Sequence, residues 1–204
     1  MNRYEMFPTY VWEFNLFEDT TFTEADNEKL KSFLLTLCAK KDSGSRKLSN
    51  IGGYQSNDLD CHGKHEELVR FRELLETIMK EMIQDPLGLQ NIDFDNLWCN
   101  INYEHSYNIT HNHPFCFFSG VYYVSAKPVS EQGEVVFCRD DLSQSYLRPD
   151  KINHDVDRQP FSLFNVPLLP ETGTMFIFPS WVNHHVKPNL LSGSSRISLS
   201  FNFS

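Results

Sequence analysis

The stretch THNHPFCFFSGVYYV, which covers Thr110–Val124, decides how the rest of the chain is interpreted. It contains two histidines one residue apart, His111 and His113, which stop at Pro114 and lead into an aromatic segment typical of a β-strand. Side chains two residues apart on a strand point to the same face. His111 and His113 can therefore converge on one metal ion, and a third ligand has to come from elsewhere in the chain.

A second group of histidines lies in FPSWVNHHV, which covers Phe178–Val186. Strand alternation puts only one of His184 and His185 inward. Either His184 or His185 can supply the third ligand, and the other is then its alternate. Imidazole ligands suit iron, zinc, copper or nickel, so the ligand type does not select the metal.

Arg196 opens the alternating segment RISLSFNFS, in which Arg196, Ser198 and Ser200 share one face. A guanidinium inside a barrel is costly unless an anion meets it. One interpretation is the carboxylate of a small cosubstrate, held by Arg196 with help from the Ser198 hydroxyl. The other is a salt bridge to an Asp or Glu on a neighbouring strand, and burial alone does not decide between the two.

The order of the predicted elements indicates an α+β chain that is mainly β. Its 204 residues are most economically one domain, 1–204, with helical support mainly in 23–84 and a jelly-roll core mainly in 95–204. We expect the N-terminal helices to pack on one sheet. An opening strand is predicted in 7–17 and helices from Thr23 and over Lys64–Gln84. Further strands are predicted at Leu97–Glu104, Ser119–Ala126, Gly133–Cys138, Gly173–Pro179 and Arg196–Phe203.

The amino-acid composition limits the kinds of partner and the cellular compartment that we expect. The formal net charge of -9 argues against nucleic acid, because phosphate binding needs a basic surface. No apolar run is long enough to span a bilayer, and the first residues do not form a signal pattern. The five cysteines include no C-x-x-C and are odd in number. We expect reduced thiols in a cytoplasmic protein, and the sequence does not indicate an oligomeric state.

Several short motifs of the sequence, taken in their order along the chain, resemble those of a known family. An H-x-HP…SGVYYV block, an FPSW…H block and an R-I-S-x-S-F-N ending follow one another here as in the family of Fe(II)/2-oxoglutarate-dependent oxygenases. Ser49–Ser56, SNIGGYQS, is similar to that family's Gly-Gly-aromatic segment. The resemblance covers most of the chain from Ser49 onward. It implies a double-stranded β-helix that uses Fe(II), 2-oxoglutarate and O₂, with substrate oxidation coupled to loss of CO₂.

The resemblance also implies roles for five residues. His111 and His113 stand where the wider superfamily has H-x-D/E, His184 matches the distal histidine, and Arg196 with Ser198 matches the cosubstrate-binding R-x-S. The metal ligands would then be His111, His113 and His184, which we also take as the catalytic residues.

The sequence departs from the superfamily at position 113, where the usual metal site has a carboxylate. A three-His iron centre is the reading we favour. Otherwise His113 packs behind the ligands, or a carboxylate from the 139–165 loop, such as Asp140 or Asp141, completes the site.

Two other classes of protein remain as alternatives. One is a cupin-like metalloprotein with a His-only metal site and no use for 2-oxoglutarate, in which Arg196 has no obvious role. The other is a β-sandwich binding module with structural histidines, which predicts that no metal binds. The substrate, a small molecule or a peptide, cannot be identified from the sequence. We expect its specificity to lie in the 139–165 loop and in Gly52–Tyr54.

Overall fold

Eleven strands and four α-helices make up the part of the chain that the computed structural model describes, residues 1–2, 8–39, 48–139 and 165–204. The strands are β1 Trp12–Asn15, β2 Asn50–Ile51, β3 Tyr54–Gln55, β4 Phe94–Asn102, β5 Tyr107–His111, β6 Phe118–Ser125, β7 Val135–Cys138, β8 Asn165–Leu168, β9 Thr174–Pro179, β10 His184–Val186 and β11 Arg196–Phe203. The helices are α1 Leu16–Asp19, α2 Glu24–Ala39, α3 Glu66–Ile78 and α4 Asp85–Leu87, with a π-helical segment, Met79–Gln84, joining α3 to α4.

The strands form two antiparallel sheets. The larger sheet has the order β1-β9-β6-β11-β4-β3 and the smaller one β2-β5-β10-β7-β8. Aromatic and aliphatic side chains from both sheets, among them Tyr123, Phe137 and Phe178, form one buried cluster between them. The sheets therefore pack face to face, as the sequence predicts for a jelly roll.

Strand β11 lies at the centre of the larger sheet, between β4 and β6, and its two faces have different neighbours. Ile197, Leu199, Phe201 and Phe203 belong to the main core, together with buried residues of α2 and α3. Arg196, Ser198, Ser200 and Asn202 occupy the alternate positions, and three of them line a pocket between the sheets. One face of the sheet thus binds the helices and the other builds the pocket.

Helix α2 begins next to Thr23, as predicted, with a capping arrangement between Thr23 and Asp26. The Asp26 side chain accepts a hydrogen bond from the Thr23 N–H (3.1 Å), and the Asp26 N–H donates to Thr23 Oγ1 (3.2 Å). These two bonds satisfy backbone N–H groups that the helix cannot pair internally.

The same helix is tied to the larger sheet through a buried asparagine, Asn27. Its Nδ2 donates to the Val124 carbonyl (3.0 Å), and its Oδ1 accepts from the Tyr122 hydroxyl (2.7 Å). Between the pairs Ile197–Ser125 and Ser198–Tyr123 the β6–β11 register shifts, so Val124 has no counterpart on β11. The bulge supplies the carbonyl that Asn27 binds.

Gly52 and Gly53 join two short strands that belong to different sheets. Strand β2 pairs with β5 of the smaller sheet, and β3 pairs with β4 of the larger one. A Cβ on Gly53 would lie 2.5 Å from the Ile101 carbonyl oxygen, so a side chain does not fit where the chain crosses over. The segment is thus a tight structural crossover.

Most of the predicted elements are confirmed. The described chain is mainly β with helices on one sheet, and β11 has the predicted bounds. The opening strand is shorter than predicted, at Trp12–Asn15. The strands β2, β3 and β8 were not predicted, since each has only two to four residues. The predicted 139–165 loop falls outside the described residues, except for its two ends.

We expect Asn27→Ala to lower the free energy of unfolding by about 2 kcal/mol, because it leaves the buried Tyr122 hydroxyl and Val124 carbonyl without their partner. Urea denaturation measures this change. The control is Glu28→Ala on the exposed side of the same helix, which removes only the surface ion pair with Lys31 and is expected to cost about 0.5 kcal/mol or less. Equal losses in the two variants would contradict the tethering role of Asn27.

Candidate active site

Three histidines from two distant segments meet at one end of the pocket. The ligand atoms of His111, His113 and His184 all lie within 4.8 Å of one another, and no other group of this kind occurs in the described residues. The ring centroids are 4.4 Å apart for His111 and His184 and 5.3 Å apart for the other two pairs. The spacing is that of rings gathered around a common point, so the cluster could hold one metal ion.

The backbone places these rings in an unexpected way. His111 is the last residue of β5, so His113 lies beyond the strand, where its N–H donates to the Ser180 carbonyl (2.9 Å). A register shift between β5 and β10 pairs His184 with His111 but Val186 with Asn108. The bulge brings both Asn108 and His111 to the pocket although they are three residues apart. The predicted convergence is found, but strand alternation alone does not produce it.

Each of the three rings has an oxygen acceptor at Nδ1. His111 Nδ1 lies 2.7 Å from the Ile109 carbonyl oxygen, and His184 Nδ1 lies 2.9 Å from that of Val182. His113 Nδ1 lies 2.7 Å from Asn202 Oδ1. A neutral ring that donates from Nδ1 presents the lone pair of Nε2. Three Nε2 lone pairs are thus available at once.

Burial keeps these histidines neutral. Desolvation lowers the pKa of His113 to about 4, aided by the neighbouring His111, while the bond to Asn202 acts in the opposite direction. Desolvation also lowers the pKa of His184 to about 3 and shifts the pKa of His111 in the same direction. Metal binding requires the neutral ring, so the ligand form persists well below neutral pH.

One atom of the cluster has an unmet bonding capacity. His113 Nε2 is buried, and no described residue forms a hydrogen bond with it. Buried polar atoms without partners are rare and call for an explanation. A metal ion at the centre of the cluster would satisfy this nitrogen, so the residues fit a bound metal.

Arg196 is almost completely buried, at 1% exposed. Its Nη1 donates to the backbone carbonyls of Gln132 and Gly133 (2.9 Å for Gly133), and burial lowers its pKa. Gly133 has a φ of +90°, and a Cβ there would lie 2.7 Å from Arg196 Nη1, so the guanidinium depends on a glycine at this position.

The other end of the guanidinium is available for a ligand. Arg196 Nη2 is buried and has no hydrogen-bond partner among the described residues. The partners that Nη1 does have are carbonyls, not the carboxylate that the alternative of a salt bridge across the sheet requires. A buried cation with a free donor is a site for an anion.

The histidine cluster and the Arg196 guanidinium share one pocket. Its lining includes His111, His113, Arg196 and Ser198, and none of the described lining residues is acidic. Tyr123 also lines it, and burial raises the pKa of its phenol to about 12. A ligand with two anionic or chelating ends could therefore span the pocket from the histidines to Arg196.

The structure separates the two adjacent histidines of β10. His184 joins the cluster, whereas His185 Nδ1 lies 3.5 Å from Cys138 Sγ, and His185 is not a member of the cluster. Asp140 and Asp141 lie outside the described residues, so the possibility that one of them completes the site stays open.

Two residues at the site were not singled out by sequence reasoning. Asn202 contacts His113, and the Trp98 ring stacks beside His113 with centroids 5.6 Å apart. Asn202 was visible in the RISLSFNFS segment, on the same face as Arg196 and Ser198. Its partner could not be identified, because the contact joins residues 89 positions apart.

The histidine cluster and Arg196 lie within a segment that matches a known protein family. Residues 96–202, just over half of the chain, match a family model described as "Putative 2OG-Fe(II) oxygenase". No curated protein sequence is significantly similar to the chain.

Solved structures share the fold at low sequence identity. A prolyl-4-hydroxylase from Pseudomonas putida matches with a TM-score of 0.68 and 16% identity, over 96% of this chain and 92% of that one. HygX from Streptomyces hygroscopicus, solved with nickel and 2-oxoglutarate bound, has a TM-score of 0.66 and 12% identity, over 96% and 83%. A prolyl hydroxylase from Trichoplax adhaerens, in complex with a hypoxia inducible factor peptide, has a TM-score of 0.64 and 13% identity, over 95% and 82%. The fold is therefore the double-stranded β-helix that the resemblance implied.

We expect the metal-free protein to lose stability as the pH falls from 7 to 5. The folded-state pKa values of His113 and His184 lie below the ordinary value of about 6.5, so the unfolded chain takes up protons first. The stability contributed by the neutral rings is complete above about pH 6.5 and declines below it, by about 2 kcal/mol for each histidine at pH 5. Urea denaturation of the metal-free protein at several pH values measures this.

Two variants test the origin of the pH dependence. His184→Gln should reduce the loss between pH 7 and pH 5 by about 2 kcal/mol, the share of this one histidine. His105→Asn replaces a histidine whose side chain is 76% exposed, at a left-handed position that asparagine tolerates, and should leave the loss unchanged. An unchanged pH dependence in His184→Gln would show that other groups cause it.

Proposed function

This chain belongs to the 2OG-Fe(II) oxygenase family, and on that premise we propose that His111, His113 and His184 hold its iron and that Arg196 with Ser198 holds 2-oxoglutarate. As a member of that family it is an enzyme that uses Fe(II), 2-oxoglutarate and O₂. Iron held by these histidines would supply the redox chemistry by which 2-oxoglutarate loses CO₂ and a second substrate is oxidised.

The observation that carries the proposal is the convergence of three neutral imidazoles on one point, with a buried guanidinium in the same pocket. The three Nδ1 atoms are occupied by oxygen acceptors, which leaves the three Nε2 atoms for the metal. This arrangement supports a three-His centre. His113 then takes the place that a carboxylate has in the usual facial triad.

Arg196 supplies the charge that a dicarboxylate needs at its far end. Its Nη2 is buried and free to donate, while Nη1 is held by backbone carbonyls, so the guanidinium is oriented before the ligand arrives. Ser198 follows on the same face of β11, opposite Asn100 on β4. A preoriented, desolvated cation binds a carboxylate more strongly than an exposed one, since less order and less hydration are lost on binding.

Aromatic rings pack against two of the three histidines and shield them from water. His184 packs edge-on against Phe178 (centroids 4.7 Å apart), and His113 stacks on Trp98. The described lining has no carboxylate that would compete for Arg196 or for the metal. Such an environment strengthens the electrostatic interactions of the bound cosubstrate and restricts side reactions with water.

The alternative of a cupin-like metalloprotein without 2-oxoglutarate is less well supported. It accounts for the histidines but leaves a buried guanidinium with a free donor unexplained. The family match also favours the oxygenase.

For the substrate we propose only a chemical class. We propose a small molecule or a peptide, the two classes named for HygX, which was solved with hygromycin B, and for the Trichoplax adhaerens hydroxylase. Nucleic acid remains disfavoured by the net charge of -9. None of the helices among the described residues is long and apolar enough to cross a membrane. The single-domain organisation over 1–204 stays a prediction.

A cytoplasmic location is supported by the cysteines. No disulfide joins Cys38, Cys61, Cys99, Cys116 and Cys138, all of which lie in the described residues. Free thiols fit a reducing compartment, where disulfides rarely persist.

The proposal predicts that Fe(II) and 2-oxoglutarate, added anaerobically, produce the weak visible absorption band of an iron chelate. We expect Arg196→Met to weaken 2-oxoglutarate binding by about 100-fold, because it removes a charge-assisted contact worth about 3 kcal/mol, while iron binding alone stays nearly unchanged. Arg70→Met is the control, because Arg70 is an exposed arginine on α3 that lies outside the pocket lining.

The same titration separates the classes of metal site. His113→Ala and His184→Ala are each expected to abolish or severely weaken iron binding. Intact iron binding in His113→Ala would rule out the three-His centre, and iron binding without a 2-oxoglutarate band would favour the cupin-like alternative. Absence of metal binding in the wild type would overturn the proposal as a whole.

A further inference from the structure

The three proposed metal ligands differ in how their rings are held. The Nδ1 atoms of His111 and His184 each bind the backbone carbonyl two residues earlier, so the local strand fixes both rings. His113 has no such local acceptor. Its Nδ1 meets a side chain, Asn202 Oδ1, at 2.7 Å, contributed by β11, 89 residues further along the chain. His113 is thus the one ligand whose ring state depends on a replaceable side chain.

In the structure, each polar atom of the Asn202 side chain faces a complementary neighbour. Oδ1 accepts from the Ser119 hydroxyl (2.8 Å) as well as facing His113 Nδ1, and Nδ2 donates to Asn96 Oδ1 (2.9 Å). Reversing the amide would point Nδ2 at Ser119 and His113 and would place two oxygens against each other at Asn96. The amide is 6% exposed, so water cannot easily replace these bonds.

A fixed amide oxygen determines the tautomer of the ring that faces it. Because Oδ1 is an acceptor, His113 Nδ1 has to carry the hydrogen, and the lone pair is left on Nε2. That Nε2 is the buried nitrogen without a partner among the described residues, at the histidine cluster. Asn202 therefore determines whether His113 can act as a ligand.

We propose that Asn202 is a positioning residue that holds His113 in the Nδ1–H tautomer and so makes it competent to bind the metal. The inference rests on the proposed function, since it takes His113 as a ligand. It adds that the pair His113 and Asn202 acts as a unit, with Ser119 and Asn96 orienting the amide. The usual carboxylate ligand needs no tautomer control, so this requirement arises with histidine at position 113.

The tautomer can be measured without any metal. Imidazole ¹⁵N chemical shifts of the metal-free protein at neutral pH are expected to show a protonated Nδ1 and a bare Nε2 for His113. We expect Asn202→Leu, which is similar in size but has no acceptor, to lose this single tautomer while His111 and His184 keep theirs. A wild-type His113 protonated at Nε2 would overturn the proposal, even if Asn202→Leu fails to fold.

Metal affinity provides the second readout, with Co(II) as the spectroscopic probe in competition with a chelator. Asn202→Leu should weaken Co(II) binding by about 10- to 100-fold, the usual effect of removing a partner of a metal-binding histidine. Asn202→Asp keeps the acceptor and should retain the wild-type affinity to within about threefold, because rotation of the Asn96 amide can restore that contact. Asn202→Asp binding Co(II) as weakly as Asn202→Leu would overturn the proposal.

Two further variants distinguish an effect of Asn202 on the His113 ring from a purely structural role. Ser119→Ala removes one donor to Asn202 but leaves the bond to His113, so its affinity should fall by no more than about threefold. Asn112→Ala removes the Asn112–Asn183 bond (3.1 Å) beside the same loop without touching a ring and should leave the tautomer unchanged. A lower melting temperature for Asn202→Leu with wild-type tautomer and affinity would reduce Asn202 to a structural role.

Different results would contradict the proposed function and the positioning role of Asn202. If the wild type binds neither Fe(II) nor Co(II), the proposed function is wrong, whatever the tautomer of His113. If the wild type binds metal and Asn202→Leu binds it equally well, the proposed function stands and the positioning role is wrong.

Discussion

Strand β11 faces the apolar core on one side and the polar pocket on the other. This is possible because successive side chains of a strand point to opposite faces. Ile197, Leu199 and Phe201 face the helices, where burial of apolar area supplies most of the stability. The intervening positions face the pocket and are all polar or charged. A shift of one residue in the register would exchange the two sets and expose the core to the pocket. The fold and the site are therefore specified together, by the pairing of β11 with β4 and β6.

Polar side chains at the pocket are stabilised by hydrogen bonds to one another. Asn100 Nδ2 donates to Ser200 Oγ (3.1 Å), and Asn50 Nδ2 donates to Asn100 Oδ1 (3.3 Å). Such networks offset the loss of hydration only when nearly every atom has a partner. The exceptions at the pocket, His113 Nε2 and Arg196 Nη2, are the atoms to which we assign ligands. Three other buried atoms without partners, Gln55 Oε1, Arg72 Nε and Ser106 Oγ, belong to described residues outside the pocket lining.

Much of the fold was predictable from the sequence, because its signals are local. The capping pair Thr23 and Asp26 and the alternation of β11 depend only on neighbouring residues. The pairing of the two histidine groups was predicted from residue type and from the resemblance, and the convergence of His111, His113 and His184 in space agrees with it.

What could not be predicted depends on registers and distant contacts. The end of β5 at His111 and the bulge beside Asn108 are set by pairing with β10, a strand of three residues. The contact between Asn202 and His113 exists only because β11 lies beside both β4 and β6 in the folded sheet. No pattern in a single segment encodes such a pair.

The absence of a carboxylate from the described pocket lining has a consequence for how iron and cosubstrate are acquired. Neutral imidazoles leave the charge of a dication uncompensated, and Arg196 adds a further positive charge nearby. In the proposed three-His centre, the dianion of 2-oxoglutarate would be the principal counter-charge for both. Under thermodynamic reciprocity, each ligand raises the affinity for the other by the same factor. In the proposed three-His centre, iron and 2-oxoglutarate are therefore expected to bind with positive cooperativity, so the site fills with both together.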